Sequence, residues 1–275
     1  ENADDDLTVN GVVYNEMKGA FSTAEAVLER SVFSALFPDT AYGVESGGDP
    51  ENIPDLTYEQ FLKFHSTYYH PSSSYIYLYG NMDMDERLAW IDSEYLSRFE
   101  ALDVDSAIRV QKPFDAPKEI IEDYPVLDDE PLEDNTYLNM STVVADGCDV
   151  VTNTAFAILE YVLLDSPGAP VKQALLDAGI GKDVDGSFQD GLLQTFFSID
   201  VKYANPEDAD RFRKVIFDTL EKCADEGLDE KALKAAINFY EFRFREADYS
   251  VYPKGLIYGM NMYDTWIYDE NRPFE

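Results

Sequence analysis

The chain has 275 residues, 45% of them hydrophobic and 14% aromatic, which is enough to bury a core in one large domain or two modest ones. Its 55 acidic against 21 basic residues give a net charge of −34. Such a field repels phosphate backbones and anionic lipid heads, excluding nucleic acid and a polybasic membrane contact as general partners.

The chain opens on Glu1-Asn2-Ala3-Asp4 without Met or an apolar leader, and closes on Asn271-Arg272-Pro273-Phe274-Glu275 after an aromatic stretch. Both ends read as cuts inside a longer protein, so a targeting segment would lie elsewhere. Val12, Val13, Met17, Ala20 and Phe21 are spaced as one buried face of a helix over 12–21. Ser22 and Glu25 form an S-x-x-E capping box, so a second helix starts near Ala24 and ends at Pro38. Residues 39–56, with Gly43, Gly47, Gly48, Pro50 and Pro54, read as loop. Thr57 and Gln60 cap a third helix that carries Phe61, Leu62, Phe64 and His65 and stops before Pro71. Tyr75 to Tyr79 is a strand by composition, and Asp83 caps a helix bearing Leu88, Ile91, Tyr95 and Leu96.

Residues 100–117 turn mixed and polar, with Pro113 and Pro117, and an inter-domain linker is placed at 106–117. Glu119 to Val126 and Tyr137 to Ala145 are expected as strands joined by the acidic turn Asp128-Asp129-Glu130-Pro131. A long apolar helix follows over 150–164, then a shorter one over Val171 to Ala178 that ends at Gly179 as a left-handed cap. Strands are expected at 183–189 and 193–203. Asn205-Pro206 starts a helix that runs to Gly227, Asp229 caps the next, and a last helical stretch covers 252–266. Clustered strands and packed helices make an α+β chain.

Few motifs carry chemistry. A zincin needs two histidines one helical turn apart with a glutamate on the same face. Only His65 and His70 are present; five residues apart, they project about 140° from each other on a helix, so structural roles are expected for both. There is no G-x-S-x-G elbow, and the P-loop spacing is missing around Gly179-Ile180-Gly181-Lys182. Asp4-Asp5-Asp6 and Asp183-Val184-Asp185-Gly186 do not fit a calcium loop. Asn139-Met140-Ser141 matches a glycosylation sequon inside an expected strand. Cys148 and Cys223 form neither a disulfide framework nor a C-x-x-C pair, so a reducing, cytoplasmic setting is expected. Acidic neighbours Asp146 and Asp149 should raise the Cys148 thiol pKa. No apolar run nears the roughly 20 residues of a membrane helix.

The stretch Asn10-Gly11-Val12-Val13-Tyr14-Asn15-Glu16-Met17-Lys18-Gly19-Ala20 closely resembles the segment of presequence proteases, in the insulinase and pitrilysin group, that supplies the third zinc ligand. The resemblance continues through Leu36-Phe37-Pro38-Asp39, Ser46-Gly47-Gly48-Asp49-Pro50 and Ile53-Pro54-Asp55-Leu56-Thr57. It is strongest at Phe64-His65, Tyr68-Tyr69-His70-Pro71-Ser72 and Tyr77-Leu78-Tyr79-Gly80-Asn81, covering about the first hundred residues.

By that resemblance the fold is the insulinase and mitochondrial-processing-peptidase type, with helices on mainly antiparallel sheets. Residues 1–105 would be the later part of the zinc domain and 118–275 most of its non-catalytic sister. Zn²⁺ would be held by an inverted H-x-x-E-H helix and a later glutamate, which is Glu16 here. No H-x-x-E-H or H-x-x-E occurs in the chain. The implied parent degrades short unstructured peptides, bound partly by strand addition. Peptide substrates, basic ones by the charge, and further domains of the same protein are the expected partners. A non-catalytic scaffold that binds peptide or a partner subunit is the alternative.

Overall fold

The computed structural model describes residues 8–246, 249 and 251–272. In chain order the helices are α1 (Val12–Ala20), α2 (Ala24–Leu36), α3 (Tyr58–Tyr68) and α4 (Met84–Glu94). Strand β1 (Thr136–Asp146) precedes α5 (Val150–Glu160) and α6 (Pro170–Asp177). Strands β2 (Asp183–Gln189) and β3 (Gln194–Ala204) are followed by α7 (Ala209–Glu226), α8 (Glu230–Glu246) and α9 (Lys254–Trp266). The chain forms two compact units, Glu1–Phe21 with Glu45–Arg109, and Ser22–Val44 with Val110–Glu275. The second unit therefore takes its α2 from a segment flanked on both sides by the first.

The first unit is helical. Its α3 begins at the expected capping box, the Thr57 side chain accepting from the Gln60 backbone and the Gln60 side chain from Thr57. Asp83 caps α4 by accepting from the Glu86 N–H. Residues 75–79 form no strand. Tyr77 and Tyr79 keep the two-residue alternation of extended chain, their rings stacked at 6.4 Å, but β-rich composition makes a strand only where a neighbour supplies a ladder. No described residue of this unit is buried, and Phe61, Phe64, Tyr69 and Trp90 are more than half exposed.

The second unit is built on an antiparallel sheet in the order β1-β3-β2. Its register stacks Leu138, Val201 and Val184 in one row and Met140, Ile199 and Gly186 in the next. This apolar face packs against Leu163, Leu164, Val171, Leu175, Phe212 and Ile216 in one core cluster. Alternation along each strand sends Asn139, Asp200 and Asp185, then Ser141, Ser198 and Ser187, to the opposite face. There α2 closes over β3: Phe33 and the fully buried Phe37 meet the Phe196 ring at 5.2 and 5.9 Å.

The helix starts differ from expectation in detail. Thr23, not Ser22, caps α2, its hydroxyl accepting from the Ala26 N–H. The helix expected over 150–164 ends in a π turn, Tyr161–Asp165, whose Val162, Leu163 and Leu164 are buried. Leu164 fits because it faces Gly186, where a Cβ would lie 2.1 Å from its Cδ1. Gly179 has φ +68° and closes α6 as expected. Residues 119–126 are not a strand: Ile121 is 86% exposed, and the segment is tied down by Tyr124, whose hydroxyl donates to Asn135. Pro125 in that segment also lacks the N–H a ladder needs.

Among the described residues, two other than glycine have positive φ, Asp134 and Tyr203. Tyr203 sits in a register shift of β3 opposite Tyr137, and its ring packs on the Tyr137 ring at 5.9 Å. Asp134 is held by Lys182 at 2.8 Å and by a reciprocal pair of hydrogen bonds with Asn205.

Candidate functional site

Glu16 lies in the middle of α1, in the first unit, with an exposed side chain. Gly11 precedes the helix without a side-chain cap, and Asn15 Nδ2 instead donates to Asn10 Oδ1 at 2.8 Å, bracing the first turn. One residue beyond Glu16, Met17 lies over Gly47, where a Cβ would meet its Sδ at 2.6 Å. The helix is thus seated by Met17 while Glu16 faces outward.

The histidines have other partners. His65 stacks on Tyr69 at 4.8 Å and on Phe61 at 6.5 Å along α3. His70 Nδ1 accepts from the Ser72 N–H at 3.1 Å, capping the short turn Pro71–Ser73, and its ring meets Phe99 edge-on at 5.2 Å. These are the structural roles that the spacing implied. Among the described residues no group of three or more His, Cys, Asp or Glu could hold a metal ion. The donors present therefore do not by themselves make a zinc site; Glu16 offers one carboxylate. The Asp4–Asp6 run lies outside the described residues.

The remaining candidates are structural. Asn139 Nδ2, the sequon nitrogen, donates to Asp200 Oδ1 at 2.7 Å. Ser141 donates to Asn139 Oδ1 or shares a proton with Ser198 at 2.6 Å, completing a polar row across the sheet. Burial pushes the Asp200 carboxyl above its ordinary value, against the stabilising bond from Asn139. Burial, with Asp146 as the next cause, also raises the Cys148 thiol; burial raises Cys223. Sequence reading missed this row, although the alternation in Asn139-Met140-Ser141 and Ser198-Ile199-Asp200 carries it. It also missed the meeting of Glu160, Asp190, Asp264, Tyr42 and Tyr268 at the β2–β3 turn, for which no local pattern exists.

A family model described as the peptidase M16 inactive domain matches residues 55–240. Protein HypA of Clostridium perfringens is 46% identical over 269 residues, which is 98% of this chain and 28% of that protein. Presequence protease 1, chloroplastic/mitochondrial, of Arabidopsis thaliana is 39% identical over 275 residues, 98% of this chain and 25% of that protein. The chain thus spans about a quarter of the length of the curated relatives it matches. Among solved structures, a protease from Helicobacter pylori superposes with a TM-score of 0.63 at 16% identity, over 93% of this chain and 60% of that one. A putative M16-like peptidase from Alicyclobacillus acidocaldarius gives 0.58 at 20% identity, over 86% and 55%. At those identities the structures speak to the α+β fold alone, while the sequence matches speak to descent: this chain belongs to the M16, insulinase-type, peptidase family.

Proposed function

We propose that this chain is part of a zinc metalloendopeptidase that degrades short unstructured peptides, and that Glu16 is the carboxylate it contributes to the metal. The observation that carries this reading is the match to a presequence protease along 98% of the chain, including the Asn10 to Ala20 segment. The chemistry is consistent with it. A catalytic zinc held by two neutral imidazoles and one carboxylate keeps a position open for water, and bound zinc supplies Lewis acidity there. Glu16 is presented outward on a helix braced by Asn15 and Met17, as a ligand shared with residues from elsewhere would need to be. Residues 106–117 are proposed as the linker between the zinc domain and its sister, and the net charge favours basic peptides as substrates.

The chain alone is expected to be inactive. Calorimetry with zinc and a fluorogenic peptide assay should show weak binding at most and no metal-dependent cleavage, because one carboxylate is too few ligands. In the parent protein, Glu16→Gln should release zinc and lower cleavage by at least about 100-fold, since loss of a metal's support costs that much or more. Tight stoichiometric zinc in this chain, or a fully active Glu16→Gln parent, overturns the reading.

A second reading, a non-catalytic peptidase-like scaffold, is favoured by one observation: the matching family model describes an inactive domain. A parent protein without an intact H-x-x-E-H would establish it.

A further inference from the structure

The turn between β2 and β3, residues 188–193, gathers titratable side chains from three other elements. Glu160, ending α5, accepts a hydrogen bond from the Phe188 backbone. Asp264 of α9 lies against Gly191, where a Cβ would stand 2.9 Å from its Oδ1. Just past α9, Tyr268 donates to the Gly191 carbonyl at 3.1 Å. Its oxygen is 2.5 Å from that of Tyr42, and Tyr42 accepts from the Leu193 N–H at 3.1 Å. Since the one Tyr268 proton goes to Gly191, Tyr42 donates to Tyr268, and the relay runs unbroken from Leu193 N–H to Gly191 C=O. Asp190, at the tip of the same turn, is exposed as a residue, yet desolvation of its carboxyl pushes it above its ordinary value as well.

Every element around this turn adds charge of one sign or little to offset it. Asp165 from the π turn acts on Glu160, and Asp185 from β2 acts on Asp165, where Lys172 of α6 opposes it. On the α8 side, Tyr240 faces Glu160, Asp165 and Asp190, with Arg243 opposing them. Among the described residues no ion pair neutralises Glu160, Asp190 or Asp264. Two further ties at this end of α9 carry no carboxyl: the Cys148 thiol lies 4.0 Å from the Thr265 carbonyl, and Arg272, beyond the helix, donates to the Cys148 carbonyl at 2.8 Å.

We propose that this turn and α9 form a pH-sensitive joint, docked while Glu160 and Asp264 are protonated and loosened when both ionise beside Asp190. Burial, then Asp165 and Asp190, push Glu160 from an ordinary 4.5 to about 7. Burial, then Asp190, push Asp264 from 3.8 to about 6. Carboxyls raised on folding stabilise the docked state fully below their unfolded values and lose that contribution as pH rises through the folded ones. The contribution is therefore lost progressively from near pH 3.8, the ordinary Asp264 value, to near pH 7, the folded Glu160 value.

Trp266, stacked on Tyr263 at 5.9 Å within α9, reports on the joint once the exposed Trp90 is replaced by Phe. In the full chain, Trp266 emission should change between pH 5.5 and 7.5. Corrected amide exchange in α9 should rise about tenfold over the same range, a figure reduced for the half-exposed carboxyls, while far-UV circular dichroism stays constant. Glu160→Gln with Asp264→Asn mimics the protonated pair, so this variant should fold, stay protected at pH 8 and show a flat profile. Asp190→Asn should lower the midpoint. A transition that survives the Gln/Asn double substitution arises elsewhere in the chain and overturns the proposal. A pH-independent α9, or global unfolding across the window, overturns it as well.

Discussion

Gln111 shows what a single buried side chain holds in place. It is 5% exposed, accepts from the Asp39 N–H at 2.9 Å and donates to the Asp39 carboxylate at 2.9 Å. Its backbone exchanges two further bonds with the Gln194 side chain. Gln111→Ala leaves the Asp39 N–H without its acceptor, and urea unfolding should show a loss of about 2 kcal/mol. Gly186→Ala tests the π turn: the new methyl meets Leu164 Cδ1 at 2.1 Å and the Ser198 carbonyl at 2.8 Å, so the sheet must shift. A cost of about 1–3 kcal/mol is expected in the same measurement. Both cysteine thiols are raised, so iodoacetamide followed by mass spectrometry should find them slow to react at pH 7 and fast only well above their ordinary 9.0. At this scale the sequence was a fair guide where chemistry is local. The acidic neighbour of Cys148 was visible beforehand; its burial, the larger cause, was not. His70 was expected to be structural, but its role as a cap was not foreseen, and Gln111 lay in an expected linker and had no signature.

Helices were legible because their signals are short-range. The Thr57/Gln60 box, Asp83, Gly179 and the Asn205-Pro206 start all stand where the sequence put them. Thr57→Ala removes the bond to the Gln60 N–H at 3.2 Å and should cost α3 about 1 kcal/mol, read as faster exchange of the first-turn amides. Strands were legible only where another strand completes them. The alternation in 137–145, 183–189 and 193–203 leads to one register, while equally β-prone residues at 75–79 and 119–126 find no ladder in the described chain. A strand is a property of a pair, and single-segment composition cannot name the partner. The Glu16 helix is a similar case. The ligand role proposed for it rests on resemblance alone, since an exposed glutamate on a short helix has no physical mark of its own.

Across the whole molecule the two units differ in what they bury. The second owns the core cluster; the first has no buried described residue. Amides of α3 and α4 should therefore exchange at least about 100-fold faster than those of β3 in native-state hydrogen exchange. The placement of α2 is the feature least open to a sequence reading, since nothing in residues 22–44 announces a partner as remote as Phe196. It can be tested by division. A chain beginning at Val110 lacks α2 and should melt broadly, and the separate peptide 22–44 should restore a cooperative transition. The same placement also sets an order of events. Tyr42 and Leu193 are 151 residues apart, and Tyr42 and Tyr268 are 226 apart. During synthesis α2 leaves the ribosome long before β3, whose Phe196 it meets, and residues 45–109 of the first unit are made in between. Such distant closures are slow, because loop entropy is lost before any contact repays it. Phe33 and Phe37 thus wait without the Phe196 ring until β3 has been made, and only then can that face of the sheet close.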